Sequence, residues 1–359
     1  MLTFRRALLA AVFIITIYYL THLHKSPSSL HLDAANKPSE VHVLSDSQVI
    51  NDRKTASSQQ PLREMSHASI REKLAYQYPY DVEIRFPAYI WQTWKFTPAS
   101  GEFKENYRPA EASWTELHPS FIHEVITDQV AIHLIRHLYA SIPEILEVYQ
   151  ALPLAVLKAD FFRYLILFAR GGIYSDIDTY AIKSATEWLP ESVPKKSIGL
   201  IIGIESDPDI KETASQSSRR ILFCQWTIQS KPGHPALLEV IAKITENVSE
   251  KIKNGSIPVF DINDVQGFTG SILWTDVIFE YFNDPRYFDL GLSRKNISWN
   301  DFTGMKSPKK VGDVAILPIT SFSPGINQMG SEGFDSPMAY VRHEFAGTWK
   351  PEPRQSNIM

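Results

Sequence analysis

Residues 152–180, LPLAVLKADFFRYLILFARGGIYSDIDTY, decide how the rest of the chain is expected to fold. The segment from Pro153 to Arg170 carries apolar residues on nearly every side of a helical projection. Before its last residue, Arg170, only three charged side chains interrupt it: Lys158, Asp160 and Arg163. A helix that is apolar all round is buried in a protein core, so the sequence predicts a central buried helix here.

A double glycine, Gly171 and Gly172, follows this helix and predicts its end, because glycine readily takes the left-handed conformation found after helices. The pattern then alternates from Ile173 to Asp178, which predicts a short strand. Side chains two residues apart on a strand point the same way, so Asp176 and Asp178 are expected to converge. Convergent carboxylates suit a hard divalent cation that keeps positions open for phosphate oxygens.

Length and composition indicate a globular protein with one large domain or two small ones. The chain has 359 residues, 44% of them hydrophobic and 12% aromatic, which is enough for a sizeable core. Its formal charge of -4 gives no basic footprint and argues against nucleic acid as a partner. Cys224 is the only cysteine, so no intramolecular disulfide can form. Its apolar surroundings favour a buried inert thiol, with an intermolecular disulfide as the alternative.

The N-terminal region predicts a membrane anchor. Residues 1–6 form a short tail that ends in two arginines, and residues 7–23 form an apolar run near the lower limit of about 17–25 residues for a membrane span. An uncleaved signal anchor is the prediction, and a cleaved signal peptide is the alternative. The arginines place the tail in the cytosol and the rest in the lumen. A short span favours the Golgi or the endoplasmic reticulum.

Residues 24–81 are polar and lack a sustained apolar period, so they predict a flexible stem before a luminal domain over residues 82–359. In that domain, strand and helix patterns alternate, which predicts an α/β fold with a mostly parallel sheet. The predicted strands are Phe86–Trp94, Phe121–Thr127, Ile198–Ile204, Arg220–Gln229 and Val314–Phe322, and the further helices are 128–140, 143–150, 233–253 and the segment that ends at Phe282.

The order of helix, double glycine, strand and Asp-x-Asp resembles the Rossmann-like nucleotide-sugar binding core of GT-A glycosyltransferases. More narrowly, KADFFRYLILFARGGIYSDIDTY at 158–180 resembles glycosyltransferase family 32, which includes the yeast initiation-specific α-1,6-mannosyltransferases. The segments FPAYIWQTW at 86–94, GFTGSILWTDVIFEYF at 267–282 and YVRHEFAGTWK at 340–350 are also similar to family segments. One departure is Gly270-Ser271, where the family usually has Gly-Pro.

The resemblance assigns roles to residues on the central helix and the first strand. It implies that Asp160 and Arg163 contact the hydroxyls of the donor sugar and the nucleotide diphosphate. The alternative for this pair is a buried ion pair that only positions the helix. Near the end of the first strand, Gln92, Thr93 and Trp94 are candidates for contact with the nucleotide base. Packing in the core is the alternative for Trp94.

The resemblance also implies the metal and donor contacts. Asp176 would face the ribose and the metal, and Asp178 would ligate the metal directly, with an exposed turn pair as the alternative. His343 would complete the shell of ligands around the metal and the diphosphate, and a structural role is the alternative. Gly172 would border the bound donor. Thr348 and Trp349 would close over the leaving group. For Trp349, packing alone is the alternative.

The segment at 267–282 is implied to border the catalytic pocket, with Thr269, Gly270 and Asp276 as candidate residues. Ser271 or Asp276 is predicted to cap or steady the helix that follows. His234, at the start of the 233–253 helix, is interpreted as a local structural residue.

The predicted anchor indicates a single-pass type II Golgi membrane protein, and the resemblance implies that it uses GDP-mannose and Mn²⁺, or another divalent cation. The implied acceptor is a mannose of an N-glycan core, and the implied reaction forms an α-1,6 linkage with retention, which starts the outer chain. A bound cation would neutralise the departing phosphate, so no general acid is needed. No carboxylate stands out as a nucleophile, which favours attack from the face that the phosphate leaves. A complex with other Golgi mannosyltransferases is compatible with this activity.

Three alternatives remain open. A family member could use another donor sugar or an inositol phosphorylceramide acceptor, although no second long apolar run occurs in the sequence. An inactive lectin-like or scaffold subunit is a different class, which the intact acidic motif argues against. The third is a metal-dependent hydrolase. Sequons at Asn247, Asn254 and Asn296 are consistent with a luminal surface.

Overall fold

The computed structural model describes residues 67–208, 220–255, 264–288, 296–326, 328 and 330–347. The predicted cytosolic tail at 1–6, the predicted span at 7–23 and the predicted stem as far as residue 66 lie outside the described residues. Among the helices that are described, none is both long enough and apolar enough to cross a membrane.

The described part of the chain is a mixed α/β fold. Its α-helices are α1 (Ile70–Gln77), α2 (Arg108–Leu117), α3 (Asp128–Leu138), α4 (Pro143–Ala151), α5 (Ala155–Arg170), α6 (Pro235–Lys253), α7 (Val265–Phe268), α8 (Ser271–Phe282) and α9 (Ile319–Phe322). Its strands are β1 (Tyr89–Thr93), β2 (Ile122–Ile126), β3 (Gly172–Ser175), β4 (Thr179–Ala181), β5 (Leu200–Ser206), β6 (Leu222–Phe223), β7 (Thr227–Ser230), β8 (Lys309–Val311), β9 (Val314–Leu317) and β10 (Val341–His343).

One mixed sheet carries the fold, with strands in the order β2-β1-β3-β7-β5-β9-β8. β1 lies parallel to both β2 and β3, and β5 lies parallel to β9. Only β7 separates these two groups, and it is antiparallel to both β3 and β5. The carboxyl ends of β1, β2, β3, β5 and β9 therefore share one edge, where ligands of open α/β sheets commonly bind. A smaller sheet pairs β10 with β4.

The central helix α5 is buried as predicted. Asp160 and Arg163 are buried with the apolar residues around them, at 1% and 3% exposure. The helix ends at Gly171, whose φ is +66°, and Gly172 follows with a φ of +98°. A Cβ on Gly172 would lie 2.6 Å from the carbonyl oxygen of Tyr89. Glycine at 172 therefore lets β3 begin in close contact with β1.

Alternate residues of the strands pack on opposite faces of the sheet, as the period of two requires. Tyr174 of β3 and Ile202 of β5 join a large apolar cluster that includes α5, α6 and α8. Their neighbours Ile173 and Ile201 join a second cluster on the other face. The helices and the remaining segments thus cover both faces, and the edge with the carboxyl ends is left for the site.

Two predicted strands differ from the structure. The predicted strand at 314–322 stops at Leu317, because Pro318 begins a short helical turn, α9. The predicted strand at 220–229 is divided into β6 and β7, which pair with β5 along different stretches. Cys224 lies between these two strands and is fully buried, as predicted for an inert thiol.

Folded structure also begins earlier than the sequence predicts. Helix α1 lies within the predicted stem at 24–81, and its Leu74 is fully buried. Arg71 on the same helix donates two hydrogen bonds to Glu239 of α6, at 2.7 and 2.8 Å. A Ser69 capping box starts α1. The end of the predicted stem is therefore part of the domain, which starts before Val82.

Candidate active site

The acidic pair lies in a turn at the carboxyl end of β3. The strand ends at Ser175, and the turn closes where the Thr179 N–H donates to the Asp176 carbonyl at 3.1 Å. Asp176 and Asp178 do converge, as predicted. The predicted reason is wrong, however, because the turn and not a strand to Asp178 brings the two side chains together.

Neighbouring strands hold this turn in place. The Asp176 N–H donates to the carbonyl of Trp226 at 2.9 Å, and Gln92 Nε2 donates to the Asp176 carbonyl at 3.1 Å. Behind them the buried Ser175 hydroxyl is hydrogen-bonded to Thr179 and Thr227, at 2.8 Å each. Hydrogen bonds from other protein groups thus fix the backbone of the acidic turn.

A third candidate ligand reaches the pair from the end of the domain. His343 is the last residue of β10, and it pairs with Thr179 of β4, directly after the turn. Asp176, Asp178 and His343 each offer one ligand atom, and these atoms lie within 4.8 Å of one another. His343 Nε2 is 3.2 Å from Asp178 Oδ1. The structure therefore places the predicted metal residues together.

Electrostatics differ between the two aspartates. Burial raises the pKa of Asp176, and the Arg163 charge opposes this rise. For Asp178 burial acts in the same direction, but the hydrogen bond and charge of His343 and the Ala346 N–H outweigh it and lower the pKa. The Ala346 N–H donates to Asp178 Oδ2 at 3.0 Å. Asp178 is therefore held as a carboxylate, the form that binds a metal.

The backbone that supplies this N–H is unusual. Phe345, the preceding residue, has a φ of +49°, a conformation that side-chain-bearing residues rarely adopt. Its ring contacts that of His343, with centroids 4.2 Å apart, and remains 54% exposed. Strained backbone of this kind is found at ligand-binding sites more often than elsewhere.

Asp160 and Arg163 form a buried pair that reaches the turn. Arg163 Nη2 donates to Asp160 Oδ1 at 2.6 Å and lies 3.4 Å from Asp176 Oδ1. Its Nη1 donates to the carbonyl of Gln225 at 2.9 Å. Burial raises the pKa of Asp160 to about 6, and Arg163 limits the rise. The pair therefore positions α5, as the structural alternative predicts, and also connects α5 to the acidic turn.

A tyrosine completes the contact between α5 and the turn. The Tyr174 hydroxyl donates to Asp176 Oδ1 at 3.0 Å and is 3.0 Å from Thr93 Oγ1. The Arg163 guanidinium lies over the Tyr174 ring, 4.8 Å from its centroid. Asp176 Oδ1 is thus fixed by two neighbours, and its other carboxylate oxygen remains for a ligand.

The residues predicted to contact the nucleotide, on β1 and directly after it, bond to or pack against other protein groups. Gln92 is fully buried, and its Oε1 is 2.9 Å from His123 Nε2 while its Nε2 bonds the turn. Trp94 packs edge-on against Tyr107, with ring centroids 4.7 Å apart. The Trp94 Nε1 is buried without a hydrogen-bond partner among the described residues. Gln92 therefore positions the turn, and contact of either residue with a nucleotide stays a prediction.

The segment before α8 reaches the site through Thr269. Its hydroxyl donates to Asp160 Oδ2 at 2.8 Å, and its carbonyl accepts from the Tyr164 hydroxyl at 3.0 Å. Neither Ser271 nor Asp276 caps α8, because Gly270 is its N-cap and no side chain caps it; that one of them steadies the helix stays a prediction.

The other predicted residues of this part of the chain lie outside the hydrogen-bonded cluster or outside the described structure. Asp276 lines a surface groove with Phe279. His234 caps α6 by accepting from the Ala236 N–H, which confirms its structural role. Thr348 and Trp349 lie outside the described residues.

The sequence does not single out two residues of this site, Glu205 and Trp226; it indicates only that Glu205 begins a polar loop, 205–219, of the kind that often borders acceptor sites. Burial raises the pKa of Glu205 to about 7, and the charges of His343 and Arg163 oppose this rise. The ring of Trp226 packs on His343, with centroids 4.6 Å apart. Neither residue belongs to a motif, and only the sheet order brings them to the site.

Several buried polar atoms around the turn have no hydrogen-bond partner among the described residues. They are Trp94 Nε1, Arg163 Nε, Glu205 Oε2, Trp226 Nε1 and His343 Nδ1. Native proteins rarely leave such atoms unpaired, so each one asks for an explanation. The site also holds more carboxylate groups than the guanidinium group of Arg163 can pair with. Hard oxygen ligands with one imidazole suit a divalent cation, and the unpaired donors suit an anionic ligand.

Comparison with known proteins agrees with this chemistry. Residues 105–194 match the family model described as "Glycosyltransferase sugar-binding region containing DXD motif". The chain is 40% identical over 366 residues to an initiation-specific α-1,6-mannosyltransferase of Candida albicans, covering 96% of the chain and 94% of that relative. It is 41% identical over 290 residues to the Schizosaccharomyces pombe protein of the same name, covering 79% and 68%.

Among solved structures, a PaToxG glycosyltransferase aligns with a TM-score of 0.37 and 15% identity, covering 65% of this chain and 79% of its own. The similarity to the relative from Candida albicans extends over nearly the whole chain. On the strength of that similarity and of the matching family model, the chain belongs to glycosyltransferase family 32.

Proposed function

We propose that this protein transfers mannose from GDP-mannose to a mannose of an N-glycan core, forming an α-1,6 linkage with retention and so starting the outer chain. One observation carries the proposal. Asp176, Asp178 and His343 converge at the carboxyl edge of the sheet in a chain that is 40% identical to an initiation-specific α-1,6-mannosyltransferase over 96% of its length.

The proposed architecture is GT-A-like. Its support is the parallel trio β2-β1-β3, the acidic turn directly after β3, and the antiparallel β7 beside it. This arrangement puts the Asp-x-Asp turn at the edge where nucleotides bind in open α/β sheets.

The residues present fit a divalent cation such as Mn²⁺. Asp176 and Asp178 would hold it through oxygen, and His343 through a ring nitrogen. When bound, such a cation supplies Lewis-acid stabilisation of the negative charge on the departing diphosphate. The buried His343 Nδ1 has no partner among the described residues, so it would carry the ring proton when Nε2 binds a metal.

The protein's own groups account for the rest of the proposed mechanism. Arg163 is buried and fixed by Asp160 and Gln225, and its Nε, which has no partner in the described part of the chain, would donate to a phosphate oxygen. A preorganised donor of this kind needs no reorganisation as charge develops. Asp160, which the family resemblance assigns to the hydroxyls of the donor sugar, lies beside this guanidinium and accepts hydrogen bonds from Arg163 and Thr269. In the proposed step, the acceptor oxygen bonds to C1 on the face that phosphate leaves, and its proton passes to the departing phosphate oxygen.

We further propose a Golgi location, with residues 7–23 as the anchor, the domain in the lumen and other Golgi mannosyltransferases as partners. The asparagines of the three sequons support a luminal surface, because Asn247, Asn254 and Asn296 are all exposed.

The experiment that tests the function is a donor and acceptor panel on the purified full-length chain. With Mn²⁺ and a mannose-terminated N-glycan, we expect transfer from GDP-mannose only, and loss of transfer on chelation or with Asp178→Asn. Inositol phosphorylceramide serves as the alternative acceptor. Donor hydrolysis at the same rate without acceptor would support a hydrolase, and no turnover of any donor would support an inactive binding protein.

A further inference from the structure

Glu205 occupies the same edge of the sheet as the acidic turn. It is near the carboxyl end of β5, and β7 alone lies between β5 and β3. Two strand spacings separate the ends of these strands by roughly 10 Å. The pairing of β5 with β6 shifts between Ile204 and Ser206, on either side of Glu205. Bulges of this kind redirect side chains and are common beside active sites.

The redirected side chain faces the site. The charges of His343, Arg163 and Asp160 all act on Glu205. Among the described residues, no lysine or arginine forms an ion pair with it. Its Oε2 is buried and lacks a hydrogen-bond partner within the described part of the chain.

This arrangement is unfavourable for folding. A buried carboxylate oxygen without a donor loses its hydration and gains no protein hydrogen bond in return. A structural carboxylate in the same fold is treated differently: Asp207 accepts hydrogen bonds from Arg220, Thr303 and the Gly304 N–H. Side chains that lower the stability of the fold are expected mainly at functional sites. Glu205 Oε2 therefore has the properties of an atom that bonds to a substrate.

We propose that Glu205 binds the attacking hydroxyl of the acceptor carbohydrate. This assignment rests on the proposed glycosyl transfer. The donor diphosphate is assigned to the turn after β3, and Arg163 and Asp160 lie directly beside that turn. Glu205 lies two strands farther along the edge, a separation that leaves room for the transferred sugar between the diphosphate and the carboxylate.

The role of Glu205 in the step is to hold and orient the nucleophile. Its Oε2 accepts a hydrogen bond from the acceptor hydroxyl. The hydroxyl oxygen then bonds to C1 of the sugar while the bond from C1 to the phosphate oxygen breaks. The proton of the hydroxyl passes to the departing phosphate oxygen, so Glu205 ends the step unchanged. Correct orientation of a reacting group is worth large factors in rate.

The test compares Glu205→Gln and Glu205→Asp with Glu187→Gln, a matched change at an exposed glutamate. Initial rates are measured against acceptor and donor separately, with Mn²⁺ present, together with GDP binding by calorimetry and the melting temperature. For Glu205→Gln we expect kcat/KM for the acceptor to fall at least about tenfold, the scale of one lost catalytic hydrogen bond. GDP affinity and the slow hydrolysis of donor by water should stay within about twofold of wild type, because neither needs the acceptor.

Partial recovery in Glu205→Asp and wild-type rates in Glu187→Gln would complete the expected pattern. The assignment is overturned if Glu205→Gln transfers mannose at the wild-type rate. It is also overturned if transfer, GDP affinity and melting temperature fall together, since that pattern indicates a structural role. If the wild-type protein transfers no sugar at all, the proposed function itself has failed, an outcome that is distinct from normal wild-type transfer unaffected by the mutation.

Discussion

Replacing Asp160 by asparagine separates the structural role of the buried pair from its role in donor binding. Asp160 accepts from Arg163 at 2.6 Å and from Thr269 at 2.8 Å, and its side chain is 1% exposed. The asparagine keeps the shape and loses the charge, so the Arg163 guanidinium is left with Asp176, 3.4 Å away, as its remaining carboxylate.

The magnitude follows from this geometry. Removing one partner of a buried ion pair destabilises proteins by about 3–5 kcal/mol. Because Asp176 retains part of the attraction and the asparagine oxygen still accepts a hydrogen bond, we expect a loss near the lower limit, about 3 kcal/mol. For a domain of this size, that loss corresponds to a fall in melting temperature of about 6–12 °C.

Asp207→Asn is the matched control. Asp207 is 1% exposed and accepts from Arg220 at 3.0 Å and Thr303 at 2.9 Å, so it has the same kinds of partners at another place. Both variants should lose comparable stability. Only Asp160→Asn should weaken the binding of GDP-mannose in the presence of Mn²⁺, by at least about tenfold, because a hydrogen bond to a charged group is lost.

The assay is isothermal titration calorimetry below the melting temperature of both variants, with thermal unfolding followed by circular dichroism. Donor affinity within twofold of wild type in a destabilised Asp160→Asn protein would show that the pair only positions α5. An unchanged melting temperature would refute the stability reasoning itself.

Three further predictions concern the metal, the titration of Glu205 and the double glycine. Asp178→Asn should weaken Mn²⁺ affinity by at least about tenfold in calorimetry, since a charged ligand is lost, and unchanged affinity would exclude Asp178 as a ligand. The pKa of Glu205 is about 7 in the folded state and 4.5 at its ordinary value, so its contribution to stability is fully present below pH 4.5 and is lost as the pH rises through 7. The melting temperature of Glu205→Gln relative to wild type should therefore rise from pH 5 to pH 8 in metal-free buffer, and a flat difference would contradict this. Gly172→Ala should destabilise the domain by at least about 1–3 kcal/mol in urea unfolding, because φ is +98° and the new Cβ would meet the Tyr89 carbonyl, whereas wild-type stability would show that β3 can shift.

The sequence predicts the central helix and the metal residues because both depend on local patterns. The apolar pattern of α5 and the double glycine after it predict the helix and its end. The acidic pair follows the next strand directly, so its position at the end of that strand can be predicted from the sequence. For His343, the sequence offers only the resemblance of the segment at 340–350 to a family segment. Its pairing with β4 then explains why the end of the domain carries a site residue.

Tertiary pairing explains what the sequence does not predict. Glu205 reaches the site because β5 is two strands from β3 and carries a register shift, and neither fact is encoded in a local pattern. Similarly, α1 has a polar composition typical of a stem, but Leu74 is buried in the domain and Arg71 forms an ion pair with Glu239. The acidic pair lies in a turn because side-chain and backbone bonds from Thr179 close it, which alternation alone cannot indicate.

The central claim is that the three converging side chains hold the cation that binds the donor diphosphate. A crystal structure with Mn²⁺ and GDP, with anomalous data collected at the manganese edge, tests it most directly. The account predicts one anomalous peak among Asp176, Asp178 and His343, in contact with the diphosphate. A peak elsewhere, or GDP bound with these three side chains making no contact to metal or phosphate, would contradict it.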